Sequence, residues 1–550
     1  MKYTALTIGP IHKTLQSAKS TKALWAASYM FSYIMKEIIK KVNLKEDDII
    51  LPYHEKSDLS AINGVGLFPD RLIVKGEIPN LQSIIDLVIA EFAKKVSTDI
   101  KEDEKKVKNY LLEYLMINFL EVDLDENTNV IDAVNKLLDT AELKQPVLSQ
   151  AHKNYVNRFL EEKFYNFLVT SEFDKLSKRF PSTIEIANSE LKDVNLSKFN
   201  YYVNGLFKGE KDEDKTDNQQ QFIDKIKSAN EFKATYRNYQ KYIAVVQADG
   251  DNIGTFIKKL YGMQGATSLI RRFSKNLLEF ATESVKLIKH YQGTPIYAGG
   301  DDLLFMAPVA HSAIDDNENV YVKKSILTLI DEIDQVFCKL FTVYNEDGFD
   351  FKSIIKSLPK KPSMSYGISV SYYKFPLNEA LAEGVNQLFY TAKKTCNKNA
   401  VSYAVLKHSG QYFGTTFHKN EGSYKSYQEL IKQQVQDGDY IHGVVYKLEP
   451  LRTVFYGIGL VEKDDDRNKK FDNFFVNNFN EGIHIHKVDG EKELIPFLLQ
   501  LKQLFKDVYT EHKVFAGTTD DEKKAINTNN LNKIYAALRF IGFLTEKEER

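Results

Sequence analysis

Short apolar runs alternate with longer helical patterns in two parts of the chain. The first part lies at the N-terminus, where an apolar run stops at Gly9-Pro10 and apolar residues then recur at helical spacing. Its predicted elements are a strand at 3–8, a helix at 14–41, strands at 49–53 and 71–75, and a helix at 81–95. This order predicts a small βαββα unit.

The second mixed part begins near residue 241. Its predicted elements are a strand at 242–248, a helix at 268–290, strands at 294–298 and 303–309, a helix at 320–344, a strand at 363–372, a helix at 378–395 and a strand at 400–406. The order βαββαβ is typical of the ferredoxin-like sheet of polymerase palms. In such a sheet the first and third strands are antiparallel neighbours.

The other segments have mainly helical patterns. Amphipathic runs occur at 107–119, 155–168 and 494–509, and Ser426 to Glu429 fits a capping box. We therefore expect an α+β fold with two ferredoxin-like domains of the palm or nucleotidyl-cyclase type, plus helical middle and C-terminal domains. The predicted boundaries are 1–96 for an N-terminal palm-like domain, 97–236 for a mainly helical domain with a linker near 208–221, 237–410 for the second palm and 411–550 for the C-terminal domain.

Composition narrows the functional class. The chain has 550 residues, 43% of them apolar, and a net charge of −1, so no overall field draws it to nucleic acid or membrane. Any nucleic-acid contact must come from a local patch. The two cysteines, Cys338 and Cys396, exclude a disulfide framework and a four-cysteine zinc site within the chain. Without an apolar run of about 20 residues or a signal peptide, we expect a cytoplasmic protein with no membrane partner.

The strongest candidate for chemistry lies at the end of the strand at 242–248. There the chain reads Ala248, Asp249, Gly250, Asp251, Asn252, Ile253 and Gly254, and the turn between the middle strands reads Gly299, Gly300, Asp301 and Asp302. Clustered carboxylates without cysteine or histidine suit Mg²⁺ or Mn²⁺, which hold a triphosphate and activate a hydroxyl. The Gly299-Gly300 pair fits a two-residue hairpin turn, and the loop at 250–254 can offer N–H groups to phosphates.

Other interpretations of these motifs are weaker. The aspartates could cap turns of a polar hairpin. A calcium loop fails because Ile253 and Leu260 occupy ligand positions, and no Walker-type phosphate loop occurs. A lysine at 393–394, near a helix end, could meet a triphosphate or could complement the helix dipole.

Taken together, the motifs resemble a known family. They resemble the large palm-containing subunit of type III CRISPR effector complexes, of the Cmr (III-B) type. The matching stretches are 248–254, 299–302, Met364 to Ile368 followed by Tyr373 to Leu377, Leu406 to Gly410, Ile8 to Ile11, Ala18 to Tyr29, and Gly66 to Arg71. The likeness spans residues 1 to about 410 in family order. The palm motifs are shared with diguanylate cyclases, whereas the N-terminal run is specific to the CRISPR subunit.

The resemblance implies an RNA-guided complex with guide RNA, target RNA and other Cmr subunits as partners. On target binding, this subunit would convert ATP into a signalling nucleotide, a cyclic oligoadenylate. By position, Asp249, Asp301 and Asp302 would be catalytic and, with Gly250, would hold two Mg²⁺ or Mn²⁺ ions. The nucleotide would contact Gly250, Asp251, Asn252, Ile253, Gly254, Gly299 and Gly300, and Lys393 would contact its triphosphate. The first palm-like unit has no such acidic turn and would be a catalytically silent wall of the cleft.

The chain also departs from the family pattern. None of its 11 histidines is followed by aspartate, so we expect no HD nuclease domain and no DNA cleavage by this subunit. We expect no zinc, because the family's cysteine site has no counterpart. Three alternatives stay open: the same palm attaches AMP to another acceptor such as S-adenosylmethionine, the palm is a silent RNA-binding scaffold, or the protein is a free-standing guanylate-type cyclase.

Overall fold

Two large β-sheets organise the fold of this computed structural model. It describes residues 1–45, 48–60, 64–125, 128–143, 148, 154–163, 180–192, 237–314, 320–342, 351–433, 438–479, 482–488, 491–515 and 517–546. The linker predicted near 208–221 and residues 164–168 of the helical run predicted at 155–168 lie outside these residues. The α+β class with two ferredoxin-like sheets is confirmed.

The first sheet is antiparallel and has four strands in the order β2-β3-β1-β4. The strands are β1 Lys2–Gly9, β2 Ile49–Leu51, β3 Arg71–Lys75 and β4 Met116–Asp123. The accompanying helices are Ile11–Gln16, Thr21–Val42, Lys56–Ser60, Leu81–Ile100, Glu104–Tyr114, Val130–Glu142 and Tyr155–Arg158, the last continued by a π-helical turn at Phe159–Lys163.

Two predictions for this unit were wrong. The single helix predicted at 14–41 is two helices, because the Ser20 hydroxyl accepts a hydrogen bond from Ala23 N (3.1 Å) and starts a new helix at Thr21. The helical run predicted at 107–119 ends at Tyr114, and β4 pairs with β1 along its whole length. The N-terminal sheet therefore extends to residue 123, beyond the boundary predicted at 96.

The second sheet has six strands in the order β12-β11-β10-β5-β7-β6. They are β5 Tyr242–Asp251, β6 Thr294–Gly299, β7 Asp302–Pro308, β10 Ser363–Tyr372, β11 Ala400–Leu406 and β12 Tyr412–His418. As predicted, the first and third strands of the unit, β5 and β7, are antiparallel neighbours. The helices are Ile253–Tyr261, Ala266–His290, Ile326–Thr342, Phe351–Lys356, Leu377–Asn386 and a π-helix at Gln387–Thr395, and a hairpin is formed by β8 Ala310–Ile314 and β9 Val320–Ser325.

Two elements here also differ from prediction. The helix predicted from 320 begins only at Ile326, because residues 320–325 form β9 and pair with β8. The palm sheet does not end near 410, since β12 pairs with β11 along its length. Both strands were missed because their apolar residues adjoin longer helical patterns.

The two sheet units are joined directly. Gly66 forms a parallel bridge with Tyr297 of β6, and Ala298 N donates to Gly66 O at 3.1 Å. Nearby, Trp25 is fully buried and its Nε1 donates to Gly64 O at 2.8 Å, so it is a core residue of the first unit. This junction brings the N-terminal unit against the hairpin that carries the acidic turn.

A buried carboxylate ties the segment between the sheets to the palm. Short helical turns occupy Thr183–Ala187, Ser189–Lys192 and Asn238–Lys241. Glu190 accepts hydrogen bonds from Tyr239 Oη (2.8 Å), Gln240 Nε2 (2.7 Å) and Ser312 N (2.6 Å). Burial raises the pKa of Glu190 to about 7 in spite of these donors. The contact fixes the entry to β5.

The C-terminal part is mainly helical and packs against β12, an edge strand of the palm sheet. Its helices are Gly422–Ile431, Gly438–Leu448, Glu449–Leu451, Arg452–Gly459, Asp464–Asn478, Pro496–Glu511 and Asp520–Thr545, and its hairpin is β13 Ile485–Val488 with β14 Glu491–Leu494. The capping box predicted at Ser426 was wrong, because Ser426 lies inside a helix and its hydroxyl donates to Asp507 (2.5 Å). No described helix is long and apolar enough to cross a membrane.

Candidate functional site

Strand register brings the predicted acidic residues together. Ala248 of β5 pairs with Leu303 of β7, so Asp249 continues toward the residue that precedes Leu303, which is Asp302. Gly299 pairs with Asp302, and the turn residues are therefore Gly300 and Asp301, not the predicted Gly299-Gly300 pair. Gly300 has φ +64°, a left-handed conformation that favours glycine. The hairpin thus directs its turn at the end of β5.

Gly250 shows how closely the two segments approach. A Cβ atom at Gly250 would lie 2.3 Å from Asp301 Oδ2 and 2.8 Å from Asp301 Cβ. Only glycine leaves room for the Asp301 side chain at this point. The predicted convergence of Asp249 with the 301–302 turn is therefore present, and Asp301 packs directly against Gly250.

Lys393 lies at the centre of this cluster. Its Nζ is 2.8 Å from Asp249 Oδ2 and 3.5 Å from Asp251 Oδ1, and it donates to Gly250 O at 3.0 Å. The Lys393 side chain is only 14% exposed. Of the two readings of this lysine, contact with the site and complementation of a helix end, the geometry places its charge in the site.

The carboxylates repel one another. Burial and the charge of Asp249 raise the pKa of Asp301 to about 6. Burial and the charge of Asp301 raise the pKa of Asp302 well above its ordinary range, and burial also raises the pKa of Asp249 against the opposing effect of Lys393. Lys393 and the more distant Lys398 do not balance the four carboxylates of Asp249, Asp251, Asp301 and Asp302. The cluster therefore has an excess of negative charge that a cation would relieve.

The position of Lys393 depends on an unusual helix. The α-helix Leu377–Asn386 continues as the π-helix Gln387–Thr395, and π-helical segments are frequent at functional sites. The helix approaches strand β10 at Gly367, where a Cβ atom would lie 2.3 Å from Leu388 N and 2.4 Å from Gly384 O. Gly367 therefore permits the close packing that brings Lys393 to the carboxylates.

We expect Gly367→Ala to displace this helix. The added methyl group would meet backbone atoms, which cannot rotate away, so we expect a loss of stability of about 1–3 kcal/mol and a weaker site. Gly384→Ala on the facing helix is the matched control, because its Cβ would have 3.5 Å to the nearest atom. Thermal melts of both variants measure the difference. Equal melting temperatures would contradict the close contact at Gly367.

Asp251 and Asn252 have side chains that are used within the protein. Asp251 is fully buried, and its Oδ2 accepts from Ser365 Oγ (2.7 Å) and Asn399 N (2.9 Å). The Asn252 amide donates to Lys361 O (3.0 Å). These contacts fix the end of β5 and the start of the following helix, and the predicted contact of both residues with a nucleotide stays a prediction.

Two cavities meet at the acidic cluster. The larger, of about 790 Å³, is lined by Gly254, Gly299, Gly300 and Asp301 and by residues of both sheet units. The smaller, of about 510 Å³, is lined by Asp249 and Phe389. Phe68, Asp70, Tyr297 and Asp302 line both cavities. Ile253 also lines the larger cavity, whereas Gly250, Asp251, Asn252 and Lys393 line neither of the two.

Of the four residues that line both cavities, sequence reasoning predicted only Asp302 and missed Phe68, Asp70 and Tyr297. Asp70 precedes β3 in the first unit, and burial raises its pKa. Tyr297 is partly buried beside the acidic turn, and desolvation and the charge of Asp302 raise the pKa of its phenol. The stretch from Gly66 to Arg71 matched the family without indicating a role in the site, because the position of these residues follows from the junction of the two sheets.

Comparison with protein families agrees with this geometry. Residues 242–402 match the family described as Cas10/Cmr2, second palm domain, and residues 3–116 match the family described as CRISPR-associated protein Cmr2, N-terminal. Together the two matches cover half of the chain, in the order expected for one protein. The chain belongs to the Cas10/Cmr2 family. The predicted resemblance to the type III-B large subunit is thereby confirmed, and the acidic cluster lies in the second palm of a Cas10/Cmr2 protein.

Individual relatives are distant. The chain is 25% identical over 287 residues to the CRISPR system Cmr subunit Cmr2 of Pyrococcus furiosus, and the match covers 48% of the chain but only 29% of that relative. In fold it is similar to a chain of the type III-B Cmr-beta complex bound to cognate target RNA (TM-score 0.56, 11% identity, 94% of this chain and 83% of that chain). The apo complex gives a TM-score of 0.51 at 12% identity, covering 94% and 82%. These structural matches support the fold.

Proposed function

We propose that the second palm of this Cas10/Cmr2 protein catalyses nucleotidyl transfer from ATP. The observation that carries the proposal is the convergence of Asp249, Asp301 and Asp302 beside Gly250, with Lys393 in contact with Asp249. Carboxylates that raise one another's pKa lower the stability of the fold, and such clusters are typical of functional sites. Their position where two cavities meet supports a reaction between two bound substrates.

The residues present fit divalent cations. Asp249, Asp301 and Asp302 offer only oxygen ligands, the set that Mg²⁺ and Mn²⁺ prefer, and their excess negative charge calls for a cation. These three side chains, with Gly250 O, would hold two ions. When bound, such ions neutralise a triphosphate and lower the pKa of an attacking hydroxyl. Lys393, which now contacts Asp249 and Gly250 O, would turn to the phosphates.

Other residues would bind and orient the nucleotide. Helix Ile253–Tyr261 begins directly after the acidic loop, and its first N–H groups, including that of Gly254, are free to bind phosphate oxygens. Gly299 and Gly300 would let the nucleotide approach the hairpin backbone. The exposed face of Phe389 lines the smaller cavity and would stack on a base.

The two cavities would hold the nucleotide that is attacked and the molecule that attacks it. If both are ATP, repeated transfer gives an oligoadenylate and a final intramolecular transfer closes the ring, with pyrophosphate as the leaving group each time. If the second molecule is S-adenosylmethionine, a single transfer gives an AMP conjugate. We propose the cyclic oligoadenylate as the product.

Family membership also supports the proposal that this chain binds RNA and other Cmr subunits. We propose that the chain works as a subunit of a type III-B complex, together with other Cmr subunits and guide RNA, and that target RNA switches on the palm. The N-terminal unit would form the other wall of the cleft, since Phe68 and Asp70 line both cavities.

Product analysis by mass spectrometry tests the proposal. The assembled complex is given ATP, Mg²⁺ or Mn²⁺ and complementary RNA, with and without S-adenosylmethionine. We expect cyclic oligoadenylates that depend on RNA and on the metal. A mass that corresponds to an AMP conjugate would replace the proposed product but keep the transfer reaction. RNA binding without any nucleotide product under either metal would contradict the enzymatic proposal and favour a scaffold.

A further inference from the structure

A groove in the C-terminal part has a chemistry unrelated to the acidic cluster. It has a volume of about 760 Å³ and lies between β12 and the helices Gly438–Leu448 and Asp520–Thr545. Its lining combines two arginines, Arg452 and Arg539, with several aromatic rings. Glu449 is the one carboxylate among its lining residues. Cationic groups interleaved with aromatic rings are typical of surfaces that bind nucleic acid.

Both arginines lie on aromatic rings. The guanidinium carbon of Arg539 is 4.6 Å from the centre of the Phe413 ring, and that of Arg452 is 4.9 Å from the centre of the Tyr535 ring. Stacking fixes a guanidinium and leaves its in-plane N–H groups available to an anion. Arg452 is paired with Glu449 through two contacts, at 2.8 and 3.1 Å.

Arg539, in contrast, has no carboxylate partner among the residues that the structure describes. Its one side-chain hydrogen bond within the described part of the chain goes to Gln411 Oε1 at 3.3 Å. Glu449 is neutralised by Arg452, so the positive charge of Arg539 is uncompensated in the groove. The groove therefore has room and charge for a phosphate at this position.

Tyr446 supplies a platform beside these charges. Its side chain is 81% exposed, more than any other large apolar or aromatic side chain in the described ranges. The exposed amide of Asn532 lies in the same groove and can both donate and accept hydrogen bonds. A solvent-exposed ring next to a stacked arginine offers one contact to a base and one to the backbone of a polynucleotide.

We propose that this groove binds a single-stranded polynucleotide, with a base stacked on Tyr446 and a phosphate paired with Arg539. RNA and single-stranded DNA share this chemistry, and an oligonucleotide of each kind distinguishes them. The proposal does not rest on the proposed enzymatic activity, because binding is measured without ATP or a divalent ion. A silent palm would leave the result unchanged.

Binding to the groove is tested by fluorescence anisotropy, with the full chain and labelled oligoadenylates of ten nucleotides, one of RNA and one of DNA. We expect Tyr446→Ala with Arg539→Ala to weaken binding roughly 10- to 100-fold. The matched control is Phe515→Ala with Lys470→Ala, which also removes one exposed ring and one positive charge, and it should bind as the wild type does. Tyr446 and Arg539 are exposed, as are the two control positions, and thermal melts check that each variant is folded.

A second measurement locates the contact. An oligonucleotide with 5-iodouridine is cross-linked by light, and the tryptic peptide at 433–447, which contains Tyr446, is examined by mass spectrometry. We expect a cross-link on this peptide that Arg539→Ala removes. The proposal would be overturned if the wild type and the double variant bound with equal affinity, or if cross-links were confined to other peptides. It would also be overturned if AMP displaced the oligonucleotide when both are present at the same concentration of nucleotide units.

Discussion

Replacing both residues of the acidic turn, Asp301→Ala with Asp302→Ala, is expected to abolish nucleotide turnover. Their carboxylates would supply most of the ligands for the ions, and loss of several kcal/mol of charge stabilisation lowers the rate by roughly 1,000-fold or more. The fold should not suffer. The pKa values of both carboxyl groups are raised by desolvation and by mutual repulsion, although the Asp302 side chain still reaches solvent, so their removal relieves repulsion and the melting temperature should stay equal or rise.

An adjacent pair of aspartates elsewhere gives the matched control for this double variant. Asp465 and Asp466 are exposed in the first turn of the helix Asp464–Asn478. Asp465→Ala with Asp466→Ala removes the same charge and should keep full turnover. If the two double variants made equal amounts of product from ATP, the acidic turn would not be the catalytic site.

The second large effect is expected for Gly250→Ala. The new methyl group would overlap Asp301, with its Cβ 2.3 Å from Oδ2, so the carboxylate must move by about an ångström or more. Displacements of this size in a reacting group lower rates by roughly 100-fold. Rotation of the carboxylate relieves the contact with Oδ2 but not the contact of 2.8 Å with Asp301 Cβ, so the turn itself must shift, and we expect some loss of stability together with a larger loss of activity. Turnover of ATP and a thermal melt together separate these two effects.

Gly262→Ala controls for the loss of a glycine near the same helix. Its Cβ would lie 3.5 Å from Lys259 O, an ordinary contact, and its φ is −78°. This variant should turn over ATP as the wild type does. A Gly250→Ala protein with normal turnover would mean that Asp301 need not hold its position.

Much of the site could be predicted because its parts are local. The acidic loop directly follows a strongly apolar strand, and the acidic turn joins two others, so the ferredoxin-like order alone makes them neighbours. Strands β3 and β10 were predicted with the observed ends for the same reason: each is a compact apolar run bounded by polar or turn residues.

The features that escaped prediction depend on packing between distant segments. Strand β4 has a half-exposed pattern and becomes a strand only by pairing with β1. The place of Lys393 depends on a π-helix that Gly367 allows to approach the sheet. Asp70 reaches the cleft because Gly66 pairs with β6. The hydrogen bonds that the Asp251 carboxylate accepts from Ser363 and Ser365 of β10 could not be predicted from its place among the expected nucleotide-binding residues.

The most direct test of the account is the position of bound Mn²⁺. Crystals of the protein with Mn²⁺ and a non-hydrolysable ATP analogue would show the ions by anomalous scattering. We predict peaks in contact with Asp249, Asp301 and Asp302, with the triphosphate beside them and Lys393 turned toward it. A nucleotide bound without ions at these carboxylates, or ions only elsewhere, such as at the Glu421, Glu511 and His512 group, would contradict the account.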